Sequence, residues 1–159
     1  MHSQTNRVRR SAAKGPVQLS GLTLIELLVV LAIVGILLAI GLPSYQQYVM
    51  KGRRADAIKA LNEVVQAQER YRSSNSSYAN SLTTLYSTTT APDLAQHYDM
   101  TLSGVSASGF TIAASPKTGG LQTQDTVCAT IKISLAGGAL TYSSLNSAAA
   151  STTSSCWPK

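Results

Sequence analysis

The chain has 159 residues, the size of one domain, and its 44% hydrophobic content is ordinary for a globular protein. The formal net charge of +6 suggests a polyanionic partner only until it is divided: Arg7, Arg9, Arg10 and Lys14 precede a long apolar segment, and from Leu22 onward nine basic residues face seven acidic ones, leaving +2. Charge alone therefore argues weakly for nucleic acid, and no G-x-x-x-x-G-K-[ST] or G-x-S-x-G motif gives nucleotide or acyl-transfer chemistry a place to sit.

Residues 1–21 are polar and basic with Gly15 and Pro16, and read as a leader rather than a packed element. From Leu22 to Pro43 the chain is apolar or Gly apart from Thr23 and Glu26. As a helix these residues reach about 33 Å, enough for a hydrocarbon core of about 30 Å. Past Pro43, residues Ile58, Leu61, Val64, Val65, Gln68 and Tyr71 recur at spacings of three and four, and Arg54, Lys59, Asn62, Glu63 and Gln66 fill the rest of the wheel. One helix from Leu22 to about Arg72 is expected. Pro43 cannot donate to the carbonyl four residues back, so a kink or local melting is expected there, assisted by Gly35 and Gly41.

Ser73 to Thr90 is rich in Ser, Thr and Asn, which compete with helical hydrogen bonding, and reads as a long connecting loop. Four short strands follow at Tyr98–Leu102, Phe110–Ala113, Val127–Ser134 and Leu140–Tyr142, with turns at Gly104, Ser108-Gly109, Gly119-Gly120 and Gly137-Gly138. Ile131 and Ile133 fall on one face of their strand and need cover, and the helix stripe is the large apolar surface available. The expected fold class is α+β, a long kinked N-terminal helix packed on a four-stranded antiparallel sheet. Cys128 and Cys156 belong to no CxxC pair, and His97 alone cannot complete a zinc site with them, so a disulfide is favoured and with it an oxidising compartment.

Ser20-Gly21-Leu22-Thr23-Leu24-Ile25-Glu26, followed by the apolar run and Pro43, closely resembles the cleavage and methylation motif of type IV prepilins and type II secretion pseudopilins. The resemblance implies cleavage between Gly21 and Leu22 by a prepilin peptidase, N-methylation of Leu22, and assembly through Glu26, which would pair with the amine of a neighbouring subunit, and Pro43. The usual Phe after the cut is Leu22 here. A carboxylate inside a spanning segment costs about 2.5–3.5 kcal/mol, so Glu26 needs a compensating partner. The competing reading is a secretory signal with Arg7 to Lys14 as its basic region and cleavage at Ala39-Ile40-Gly41; Glu26 and the stripe continuing past Pro43 argue against it. Gln124-Asp125-Thr126-Val127-Cys128-Ala129 and the closing Cys156-Trp157 are similar to PilE-type and ComP-type pilins, in which the cysteines bracket a C-terminal disulfide loop.

The expected organisation is a leader at 1–21, a transmembrane and filament-core helix half at 22–49, and a globular head at 50–159. The expected function is a structural subunit of a type IV pilus supporting adhesion, twitching motility or DNA uptake, with two alternatives: a type II secretion pseudopilin, or a DNA-uptake receptor binding double-stranded DNA. The resemblance further implies an inner-membrane precursor with its C-terminal domain in the periplasm, an inner-membrane assembly platform, and other pilin subunits as partners in an extracellular helical filament. No enzyme activity, cofactor or metal is expected; Asp93, Asp99 and Asp125 lack calcium-loop spacing, though a site drawn from distant residues stays open. Lys117, Lys132 and Lys159 with Trp157 are candidate DNA contacts, through phosphate neutralisation and stacking, if they converge. Arg53, Arg54, Lys59, Arg70 and Arg72 mostly alternate with acidic residues and read as a solvated or subunit-facing surface, and Asn75-Ser76-Ser77 fits a glycosylation acceptor.

Overall fold

The structure is a computed structural model, and it describes residues 21, 23–88 and 93–157. The elements run α1 (Leu24–Ser73), α2 (Leu82–Tyr86), β1 (Tyr98–Ser103), β2 (Gly109–Pro116), a 3-10 turn (Leu121–Gln124), β3 (Thr130–Ala136), β4 (Ala139–Leu145) and α3 (Thr153–Cys156). Two compact units divide the chain, residues 1–41 and 42–159.

Helix α1 starts at Leu24 rather than Leu22 because Thr23 caps it: its Oγ1 accepts from the Glu26 amide at 3.3 Å, and its carbonyl accepts from the Leu27 amide at 3.2 Å. The helix continues through Gly35, Gly41 and Pro43 without a break, so the local melting expected at the proline does not occur. In the first unit the apolar run has no cover: Leu24 to Ile40 are all exposed. In the second unit one stripe of α1 is buried, with Ala57, Leu61 and Val64 each 0% exposed.

The sheet is an antiparallel meander in the order β1-β2-β3-β4. Directly paired residues point to the same side. Ile112 pairs with Ile133 and Ala114 with Ile131, and these four, with Phe110, Leu135 and Tyr98, share one core with the α1 stripe. Each fully buried aliphatic side chain there contributes about 1.5–3 kcal/mol. The turn joining β3 to β4 has φ of +55° at Gly137 and +85° at Gly138, the left-handed pair that a two-residue hairpin turn requires. Gly109 is required for space instead, because a Cβ there would stand 2.2 Å from the Leu135 carbonyl oxygen.

Further readings change: β2 and β4 run longer than expected, over Gly109–Pro116 and Ala139–Leu145. β3 begins at Thr130, three residues later than expected, because Asp125 turns the preceding segment: its Oδ1 accepts from the Cys128 amide at 3.1 Å. The long loop after α1 contains α2, whose Ser81 cap accepts from the Thr84 amide at 3.0 Å. Gln68, polar on an apolar stripe, fixes the start of that loop, since its amide exchanges two bonds of 2.9 Å with the backbone of Ala79.

Candidate functional site

In the first unit, the surroundings of the motif residues are simple. Gly21 is exposed, and Leu22 lies outside the described residues. Glu26 stands in the first turn of α1, where a carboxylate complements the helix dipole. Its side chain has no hydrogen-bond or ion-pair partner among the described residues. An 18-residue window of α1 reaches a mean hydropathy of 2.9 with none of it buried. That combination suits a segment covered by lipid or by other chains, and is foreign to the core of a soluble domain. Pro43, in the second unit, is an exposed residue of α1.

The second unit holds a buried charge that the sequence reading assigned to the surface. Arg54 is 8% exposed and Asp125 3%. The guanidinium donates from Nε to Asp125 Oδ2 at 2.5 Å and from Nη2 to Oδ1 at 2.6 Å, a two-pronged pair. Asp125 Oδ2 also accepts from Gln122 Nε2 at 3.0 Å. Arg54 is therefore not part of a solvated basic face. The signal was available: Arg54 precedes Ile58 by four residues and Leu61 by seven, which puts it on the buried stripe. Its partner lies 71 residues away, and no local pattern could identify it.

Tyr98, 2% exposed, sits beside this pair. Burial, and then the negative charge of Asp125, push its phenol up to about 12, against the opposing pull of Arg54. Its hydroxyl and Gln122 Oε1 have no hydrogen-bond partner among the described residues.

Cys128 and Cys156 are bonded, with Cα atoms 5.9 Å apart. Trp157 follows at once; its Nε1 donates to the Ser143 carbonyl at 3.1 Å, and its ring meets Tyr142 edge to face at 4.9 Å. The candidate DNA contacts do not converge. Lys117 donates to both carboxylate oxygens of Asp93 at 2.9 Å, beyond the end of β2 next to edge strand β1. Lys132 lies on the sheet face opposite Ile131 and Ile133, whereas Trp157 packs on Tyr142, which pairs with Ile133 and so belongs to the helix-covered face. Lys159 lies outside the described residues. Among the described residues no three His, Cys, Asp or Glu side chains gather as a metal site.

Residues 20–42 match the model of the prokaryotic N-terminal methylation motif. Residues 43–132, more than half of the chain, match the family model described as "Type IV minor pilin ComP, DNA uptake sequence receptor". Among curated proteins, fimbrial protein EcpC of Eikenella corrodens is 57% identical over 37 residues, 23% of this chain and 24% of that protein. Fimbrial protein Q of Moraxella bovis is 51% identical over 41 residues, 26% of each chain. The type IV major pilin protein PilE of Neisseria gonorrhoeae is 55% identical over 38 residues, 24% of this chain and 23% of that protein. The chain thus spans about a quarter of the length of these relatives. A methylation motif ahead of an uncovered apolar helix, a four-stranded meander closed by a disulfide, and a family match across 43–132 together mean that this chain belongs to the type IV pilin family, in the group of the minor pilin ComP.

Proposed function

We propose that the chain is a structural subunit of a type IV pilus, made as an inner-membrane precursor with its C-terminal domain in the periplasm. A prepilin peptidase cuts between Gly21 and Leu22 and Leu22 is N-methylated. An inner-membrane assembly platform then moves the subunit into an extracellular filament. The observation that carries this reading is the 18-residue window with mean hydropathy 2.9 and no cover, entered through a first turn whose one charged residue is Glu26. Before assembly that carboxylate lies near the membrane edge, within reach of headgroups and water. Inside a bundle of such helices it needs a cation, and the amine at Leu22 of an adjacent subunit is the natural one. Glu26→Leu should insert at least as well and keep the disulfide, yet fall sharply in the ratio of subunit in sheared filaments to subunit in membranes at matched expression. An unchanged ratio removes Glu26 as an assembly contact. A short periplasmic filament of a secretion system is the alternative compatible with the N-terminal motif; the match to the ComP group over 43–132 favours the pilus.

A second reading, a DNA-uptake receptor, is favoured by that same family description. Its candidate contacts are Lys117, Lys132, Trp157 and Lys159, on separate faces where described, and Lys117 is already held by Asp93. Binding through so few cations should be of low affinity and shallow in salt. Neutralising one contacting lysine should lower the slope of log K against log salt by about one. Double-stranded DNA that fails to bind at low salt would discard this reading.

A further inference from the structure

We propose that Tyr45, Tyr48 and Leu121, with the cations Lys51 and Arg53, form a lipid-surface site that holds the second unit of the precursor on an anionic phospholipid headgroup layer. It rests on the pilus-subunit reading and gives the precursor a grip on the bilayer besides the apolar run. All five side chains belong to the second unit. Leu121 opens the 3-10 turn and is 64% exposed, and both tyrosines are exposed on α1. A single exposed leucine needs no explanation, but this one shares a largely apolar cavity of about 230 Å³ with Tyr45, Val49 and Arg53. The turn is fixed on α1 from both of its buried residues: Gln122 Nε2 reaches the Met50 carbonyl at 3.5 Å, and Asp125 just past the turn holds Arg54. Leu121 is therefore presented to the outside from a rigid position.

The place of the patch in the chain names its occupant. The apolar run ends at Leu42, and Tyr45 and Tyr48 follow within two turns of α1, about 4.5 and 9 Å along the helix. The headgroup layer beside a hydrocarbon core of about 30 Å is about 5–8 Å deep. Tyrosine suits that layer, because its ring is apolar and its hydroxyl stays wet. Lys51 and Arg53 come about 4.5–7.5 Å farther on, where long cationic side chains lay their stems on apolar surface and reach phosphate with their heads. No acidic residue occurs from Leu27 to Ala55, and among the described residues neither Lys51 nor Arg53 has an ion-pair partner. Apolar and aromatic side chains beside unneutralised cations suit the surface of a bilayer that carries anionic lipid. The apolar run of a second copy is the poorer occupant, since from Leu27 onward it brings no anion to either cation.

The test uses the full-length chain in lipid nanodiscs, with Trp157→Phe so that a new tryptophan reports alone. Leu121→Trp is the reporter, Gln124→Trp on the same turn is a second one, and Leu31→Trp in the apolar run is the insertion control. Each variant is checked for an intact disulfide and unchanged circular dichroism. In bilayers of phosphatidylglycerol and phosphatidylcholine brominated near the headgroup end of the acyl chain, fluorescence at 121 should fall about twofold relative to unbrominated lipid. Adding Lys51→Gln with Arg53→Gln, or using phosphatidylcholine alone, should remove about half of that quenching and leave the insertion control unchanged. Two unquenched reporters beside a quenched Leu31→Trp overturn the proposal. So does quenching that ignores both the anionic lipid and the two cations. Shielding of the reporters from aqueous iodide in assembled filaments, but not in bilayers, also overturns it and assigns the patch to a neighbouring copy. An unquenched Leu31→Trp shows a chain that is not held in the membrane, which sinks the pilus-subunit reading and this site with it.

Discussion

Replacing Arg54 by Met isolates the contribution of the buried charge pair while keeping most of the side-chain volume. Asp125 is 3% exposed and accepts four hydrogen bonds, from Arg54 Nε and Nη2, Gln122 Nε2 and the Cys128 amide. The substitution removes two of the four, together with the compensating charge, and leaves a carboxylate that cannot reach water. Removing one partner of a buried pair costs about 3–5 kcal/mol. The unit from residue 42 to 159 has 118 residues. At about 2.1 cal/mol/K per residue its unfolding entropy is about 250 cal/mol/K, so Tm should fall by about 12–20 °C. The internal control is Lys59→Met, which breaks the exposed pair with Glu63 and should cost about 0.3–0.5 kcal/mol. Guanidinium denaturation of the detergent-solubilised chain with its disulfide intact, followed by Trp157 fluorescence, measures both. Arg54→Met with Asp125→Leu should cost less than the sum of the single changes, since no charge is left stranded. A loss below about 1 kcal/mol for Arg54→Met, or one equal to that of Lys59→Met, would mean that water reaches the pair and that its burial carries little energy.

Two further outcomes are expected. Tyr98 holds its proton more tightly folded than unfolded, so its contribution is complete below pH 10 and is lost as pH rises from 10 through about 12. Tyr98→Phe should be close to wild type at pH 7, because the hydroxyl has no partner among the described residues, and should spare the protein up to about 2.7 kcal/mol of that alkaline loss. Urea midpoints that fall in parallel for both proteins between pH 9 and 11.5 would refute it. Joint replacement of Cys128 and Cys156 by Ala should cost about 3.6 kcal/mol, the chain-entropy value for a cysteine separation of 28; a loss under 1 kcal/mol would show the loop to be held by other means.

What the sequence makes legible follows the range of the interaction responsible. The α1 stripe and the four strands are written in local periodicity, and Gly137-Gly138 names its own turn, because each depends on residues close in sequence. The start of β3 was misplaced because Val127 is a good strand residue; what holds it out is the Asp125 turn and the covalent bond of Cys128 to a residue near the far end of the chain. Arg54 was misread for the same reason, since a charged residue on an apolar stripe makes sense only once Asp125 is known to wait there. Helix α2 was hidden inside a Ser- and Thr-rich segment whose composition argues against helix, yet Ser81 uses that same hydroxyl chemistry to cap it. Of the candidate site, Gly21 and Glu26 stand in one local motif, whereas the packing of Trp157 on Tyr142 depends on a fold-back that spacing does not encode.

The C-terminal segment explains why this corner of the domain needs both a covalent bond and a buried ion pair. Residues 146–155 are Ser, Thr, Ala and Asn, and most are exposed, so the hydrophobic effect gives little reason for them to return to the sheet. They are held instead by directional bonds: the Thr152 amide to the Ser144 carbonyl at 2.9 Å, Thr152 Oγ1 to the Val127 carbonyl at 2.9 Å, and the Ser144 amide to Thr153 Oγ1 at 3.1 Å. Each contributes only about 1 kcal/mol net, against about 1–2 kcal/mol of backbone entropy for every residue ordered. The disulfide removes much of that entropy from the unfolded chain, and Arg54 fixes the other side of Cys128 through Asp125, so the bridge has a rigid anchor on α1. Trp157 is then delivered to β4, with its ring against Tyr142 and its Nε1 donating to the Ser143 carbonyl. Hydrogen exchange separates the two devices. Loss of the disulfide should expose the amides of residues 146–157 while β2 and β3 stay protected, whereas loss of Arg54 should raise exchange across Gln122 to Cys128 and in the sheet as well.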